Sequence, residues 1–151
     1  MIAVDTSVWV AALRKAGGEA GGLAALLDAD EVVLPVPVRI ELLSGVSTTD
    51  RRRLRHALSA LPLAYPTDDT WALIDTWIEL AGAAGDRFGS GDLLIGALAA
   101  EIGALVWSLD KNFVRMQRAG LVRLLRAVRF ARGGWAFRAE RQCSLCIIPT
   151  M

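Results

Sequence analysis

One histidine and two cysteines are the only imidazole and thiol ligands that this 151-residue sequence offers. A zinc site wants four ligands, and His56 stands far from Cys143 and Cys146, so zinc has no ligand set here. The CxxC pair also lacks the strand-then-helix setting of a redox centre, and it reads as incidental. No apolar stretch approaches the roughly 18 uninterrupted residues of a membrane helix. The apolar start carries Asp5 and no basic flank, so no signal peptide is expected and a cytoplasmic protein is the default. No GxGxxG follows the first apolar run, which argues against a dinucleotide-binding module. An excess of one charge is missing too, for the formal net charge is +1.

What is present is apolar. Residues of that kind make up 54% of the chain and charged ones 22%, which excludes disorder as the general state. The length suits one domain with a real core. Short apolar runs predict strands at 1–5, 32–34, 104–108 and 121–128, with a brief one at 63–65. Helices are predicted over 6–15, 19–29, 38–44, 48–61, 68–85, 93–102 and 110–118. In the long helix 68–85, Trp71, Ile74, Ile78 and Ala81 form the expected buried stripe. Thr48 or Thr49 is the expected cap of the Arg-rich helix that follows Gly45. Strands that are short and wholly apolar, alternating with helices, point to an α/β/α sandwich on a mainly parallel sheet. After Arg132 the pattern fails. Residues 1–130 read as the domain, and 131–151 as an appended tail, a candidate for disorder or a non-native end.

The opening MIAVDTSVWV raises the chemical question. A strand that ends on Asp5, with Thr6 and Ser7 behind it, has a capped helix as its plain explanation. Ligands of open parallel α/β sheets, however, bind at the carboxyl ends of the strands. Asp5 and Asp110 both leave strands at that edge. Asp92 opens a helix there, after the loop GDRFGSG. Glu41 lies in the apolar segment VRIELL, where an idle carboxylate would have to face solvent. Each acid has a plain reading, as a cap, a first-turn acid favoured by the helix dipole, or a solvated side chain. Four independent caps have no reason to gather at one edge.

Gathered carboxylates repel one another and take up protons unless a cation relieves them. An all-oxygen set suits Mg²⁺ or Mn²⁺. Such an ion lowers the pKa of a bound water and neutralises a phosphoryl oxygen, and a pair of ions clamps both reacting oxygens. Phosphodiester hydrolysis by metal-activated water then needs no protein nucleophile. Thr6 or Ser7 would bond the Asp5 carboxylate, a metal-bound water or a phosphate oxygen.

At these residues the sequence resembles the PIN-domain ribonucleases, and more narrowly the VapC toxins of bacterial toxin–antitoxin pairs. The likeness lies in VDTSVWVAAL, the acid of VRIELLSG, DLLIGALAAEIGALVWSLDKNF and RMQRAGLVRL, and spans roughly residues 1–128. It implies a three-layer α/β/α fold and a Mg²⁺- or Mn²⁺-dependent endoribonuclease with one or two ions. It also implies a homodimer and a small VapB-like antitoxin that covers the active groove. By the resemblance, Asp5, Glu41, Asp92 and Asp110 are the catalytic and metal-binding acids. Ser7 or Thr6 matches the opening hydroxyl, and Ser108 the hydroxyl before the last acid. One position departs from the pattern: many relatives carry an acid where this chain has Asn112, which brings no charge to a second ion.

Two arginine series accompany the acids. Arg51, Arg52, Arg53 and Arg55 form one; Arg115, Arg118, Arg123, Arg126, Arg129 and Arg132 form the other. Solvated helix faces explain such runs, but beside an acidic site they would draw in a polyanion. Arg14, Lys15, Arg51, Arg52 and Arg55 are the candidates for RNA approach. Trp9, Trp71, Trp77 and Trp107 are expected in the core or a dimer interface, and Phe113 in packing. The alternatives are a solitary RNA-processing PIN nuclease and a non-catalytic RNA-binding module. A phosphatase with Asp5 as nucleophile is disfavoured, because Ser7 stands where its acid–base partner belongs.

Overall fold

In the computed structural model, which describes residues 1–14, 18–129 and 135–139, every expected strand and helix forms. In chain order the elements are β1 (Ile2–Val4), α1 (Thr6–Leu13), α2 (Glu19–Asp28), β2 (Val32–Pro35), α3 (Val36–Ser44) and α4 (Thr48–Leu58). Then come β3 (Leu63–Ala64), α5 (Asp68–Ala83), α6 (Ser90–Glu101), β4 (Leu105–Trp107), α7 (Lys111–Arg118), β5 (Leu125–Arg129) and β6 (Trp135–Ala139).

The central sheet is parallel throughout, in the order β3-β2-β1-β4, and the helices complete a three-layer α/β/α sandwich. β1 and β2 are buried along their whole length, which is why they read as continuous apolar runs instead of alternating ones. Val4, Val8, Leu34, Val106, Phe113 and Met116 lie at the centre of the core with essentially no exposure. Gly85 at φ 77° after α5 and Gly103 at φ 65° after α6 stand in the left-handed region just past their helices. In each case the next residue's N–H closes back on the helix: Asp86 on the Ala81 carbonyl and Ala104 on that of Ala99, both at 2.8 Å. The first stop sets the course of the loop that leads to Asp92, and the second launches β4.

Three expectations shift. In α5 the buried stripe is Thr70, Ile74, Trp77 and Ala81, while Trp71 and Ile78 are exposed. Apolar residues on both sides of that helix disguise its phase, and a buried threonine does not announce itself. The cap of α4 is Ser47, whose hydroxyl accepts the Asp50 N–H. The strand expected over 121–128 runs from Leu125, joined to the main sheet through a parallel bridge between Leu124 and Val106. It pairs antiparallel with β6, a strand inside the stretch read as a tail. Trp135 and Phe137 of β6 pack on Trp107, and Trp135 sits against Gly21 and Gly22 of α2, where an added Cβ would meet its ring at 3.0–3.1 Å. The Cys143–Cys146 pair lies outside the described residues.

Candidate active site

The register of the sheet assembles the site. Val4 pairs with Trp107, so β1 and β4 end level, and Asp5 and Ser108 emerge side by side. The Asp5 N–H donates to the Trp107 carbonyl at 2.9 Å. The Asp5 side chain, 6% exposed, caps α1 and accepts three hydrogen bonds on Oδ2: from the Ser7 N–H at 3.2 Å, the Ser7 hydroxyl at 2.5 Å and the Ser108 hydroxyl at 2.8 Å. Those hydroxyls are held in turn, because the Leu109 N–H donates to Ser7 Oγ and the Asp110 N–H to Ser108 Oγ. Asp110 then caps α7, accepting the Asn112 N–H at 2.8 Å.

Glu41 reaches this edge from α3. Its Oε2 accepts the Thr6 hydroxyl, and its Oε1 lies 3.8 Å from where a Cβ on Gly91 would stand. The first turn of α6, which carries Asp92, therefore approaches Glu41 closely. Glu41 is exposed, so it avoids the burial penalty by facing solvent. Asp92 Oδ2 accepts the Asn112 side-chain N–H at 2.9 Å. The Asp92 carboxyl is pushed above the usual carboxylate range: burial contributes most, and the charges of Asp110, Asp5 and Glu41 add to it. The Asn112 hydrogen bond pulls in the opposite direction. Asp92 thus feels all three of the other acids.

Three helix N-termini, those of α1, α6 and α7, meet at this edge with an acid on each. Their partial positive charge offsets the repulsion by roughly 0.3–1 kcal/mol per helix. Neither ion pair found among the described residues, Arg115–Asp86 and the Met1 amino group with Glu31, involves the four acids. The donors on hand are carboxylates, hydroxyls and an amide, an oxygen set that fits a hard divalent cation. Among the described residues no three His, Cys, Asp or Glu side chains stand close enough, as placed, to chelate one ion.

The arginines divide. Arg14, at the end of α1, shares with Glu41 the wall of a cavity of about 190 Å³, together with Val10, Leu13 and Leu42. Arg52 and Arg55 are exposed on α4. Arg51 instead binds the turn between α3 and α4, donating to the carbonyls of Leu43 at 3.0 Å and Val46 at 3.3 Å. Lys15 lies outside the described residues. Trp9, Trp77, Trp107 and Phe113 are buried. Arg115 escaped the sequence reading as a member of the site. Its three-residue spacing from Asn112, one turn along the same helix, was the available signal.

An oxygen-lined, acid-rich edge at the strand ends of a parallel α/β/α sandwich is the class of site that this geometry defines. The chain belongs to the PIN domain family, which matches residues 2–119, and that family is generally one of nucleases. Its fold is similar to that of VapBC2 from Rickettsia felis, solved bound to a DNA fragment from their promoter. That likeness has a TM-score of 0.65 and 23% identity, over 76% of this chain and 92% of that one. VapBC-1 from nontypeable Haemophilus influenzae gives 0.62 and 18%, over 77% and 92%. FitAcB from Neisseria gonorrhoeae gives 0.57 and 19%, over 74% and 88%. At these identities the likeness concerns the fold. No curated protein matches the chain.

Proposed function

We propose that this chain is a metal-dependent endoribonuclease and the toxin of a VapBC-type toxin–antitoxin pair. The observation that carries the reading is the gathering of Asp5, Asp92 and Asp110 at one sheet edge, linked through Ser108 and Asn112, with Glu41 brought against the first turn of α6. Four acids gathered at one edge have a use when a cation joins them. The solved relatives are themselves described as VapBC and FitAcB structures, which supports a VapB-like antitoxin as partner. A place in the cytoplasm and the homodimer belong to the same reading.

Asp5, Glu41, Asp92 and Asp110 would hold Mg²⁺ or Mn²⁺, as one ion or two. When bound, such an ion supplies charge to a phosphoryl oxygen and acidifies a water. The chain's own contribution is order. Ser7 and Ser108 hold the Asp5 carboxylate, and Thr6 holds Glu41. Arg14, Arg52 and Arg55 offset the negative edge for an approaching RNA backbone. Asn112 adds no charge, which weakens any second ion relative to a site with an acid there.

Purified protein is expected to cut single-stranded RNA with Mg²⁺ or Mn²⁺, to stop on chelation, and to lose activity in Asp5→Asn while staying folded. Cutting that persists in excess chelator would remove the metal mechanism. RNA bound but left intact in the presence of metal would favour the binding module, and the lack of a neighbouring short gene for a DNA-binding partner would favour a solitary processing nuclease.

A further inference from the structure

The guanidinium of Arg115 is held on three sides. Nη2 meets Asp86 Oδ1 at 2.5 Å, the Phe88 ring centre lies 5.1 Å from Cζ, and Nη1 donates to Asn112 Oδ1 at 3.3 Å. Asp86 and Phe88 belong to the loop that leads into α6 and Asp92, so Arg115 ties that loop to α7. We propose that Arg115 is a positioning residue for Asp92, acting through the Asn112 amide. What Asp92 does once positioned rests on the nuclease reading above.

A guanidinium can only donate hydrogen bonds. The amide facing it must therefore turn its carbonyl oxygen toward Arg115. That leaves Nδ2 to donate to Asp92 Oδ2, the bond found at 2.9 Å. A flipped amide would set its carbonyl against a carboxylate and its NH₂ against a guanidinium, and both contacts would repel. Arg115 thus selects one orientation, and the orientation fixes Asp92. Among the described residues only Oδ2 of Asp92 is hydrogen-bonded, so Oδ1 is the oxygen left for a cation. The backbone N–H of the same Asn112 holds Asp110. One residue, kept in place by Arg115, therefore touches two of the four acids.

This gives the amide at position 112 a purpose. An ionised acid there would pair with Arg115 at one end but oppose Asp92 at the other, and the relay would break. Only a side chain with an acceptor on one side and a donor on the other passes the order along. Partners one step removed from a metal commonly change affinity or activity by about 10–100-fold.

The test measures Mn²⁺ affinity by titration calorimetry on the isolated protein, alongside the Asn112 side-chain amide resonances of the metal-free protein. Arg115→Gln is expected to weaken Mn²⁺ by about 10-fold or more and to shift those resonances. Arg115→Lys is not expected to restore them, because a lysine ammonium lacks the planar fork that spans Asp86 and Asn112. Arg118→Gln, one turn on and exposed, should match wild type. Should Arg115→Gln not fold, Asn112→Ala carries the same affinity measurement. Wild-type Mn²⁺ affinity in either folded variant overturns the proposal. If wild type neither takes up Mn²⁺ nor cuts RNA, while Arg115→Gln still moves the Asn112 resonances, the relay stands and the nuclease reading falls.

Discussion

The two ends of α6 each present a carboxylate, and they differ in how completely it is satisfied. At the C-terminal end, Glu101 receives the Thr67 hydroxyl on Oε1 at 3.1 Å and the Thr70 hydroxyl on Oε2 at 2.5 Å. At the N-terminal end, Asp92 receives one bond from Asn112 and the repulsion of three neighbouring acids. The helix dipole alone would favour the reverse, for it welcomes an anion at the start of a helix and opposes one at the end. Hydrogen bonds and neighbours decide instead. A carboxylate with both oxygens satisfied holds elements together, here the capping box of α5 and the last turn of α6. One left with an open oxygen among its own kind is the one that, in the proposed reading, a cation would join.

The sharpest break in that comparison is functional. Asp92→Asn is expected to lower metal-dependent RNA cleavage by at least about 100-fold, while Glu101→Gln, per folded molecule, cleaves as wild type. Equal losses in a cleavage assay would erase the distinction between the two ends. Next in size is Thr70→Val. Its hydroxyl is fully buried, donates to Glu101 and accepts the Thr67 N–H at 2.8 Å. Chemical denaturation should show a loss of about 1–3 kcal/mol, with catalysis unchanged.

A pH series without metal tests the crowding at the other end. A carboxyl raised by folding stabilises the native state fully below its unfolded pKa, and that contribution is lost as pH rises through the folded value. At neutral pH Asp92 is therefore a burden, and Asp92→Asn should melt higher than wild type. The gap should close as pH falls toward about 4. A gap that stays constant from neutral to acid would mean that Asp92 is not crowded. Adding Mn²⁺ should raise the melting temperature of wild type alone. The smallest expected effect is the stability change in Glu101→Gln, at or below about 1 kcal/mol, because a glutamine still offers one acceptor to the two hydroxyls.

Much of this was legible in the residues. Wholly apolar runs such as Val32–Leu34 mark buried parallel strands, and acids placed just past them fall at one edge by topology. The capping explanation and the functional one proved compatible, since Asp5 and Asp110 cap helices while standing in the cluster. What escaped depends on partners distant in sequence. Glu101 and Thr70 lie 31 positions apart, and no local pattern pairs them. Arg115 looked like one more exposed arginine until Asp86 came within reach. β6 spans five residues, too few to show a period inside an irregular stretch. In α5, Thr70-Ile74-Trp77 and Trp71-Ile74-Ile78 are equally good helical spacings, and only the packing chooses.

The aromatic trio of Trp107, Trp135 and Phe137 has a bearing on chemistry some distance away. Trp107 is joined by a single peptide bond to Ser108, whose hydroxyl steadies Asp5. Cutting the polypeptide ahead of Trp135 would bare an indole on β4 and loosen the footing of that serine. In the proposed reading, β6 would then bear on the acids through packing alone, without placing a side chain among them.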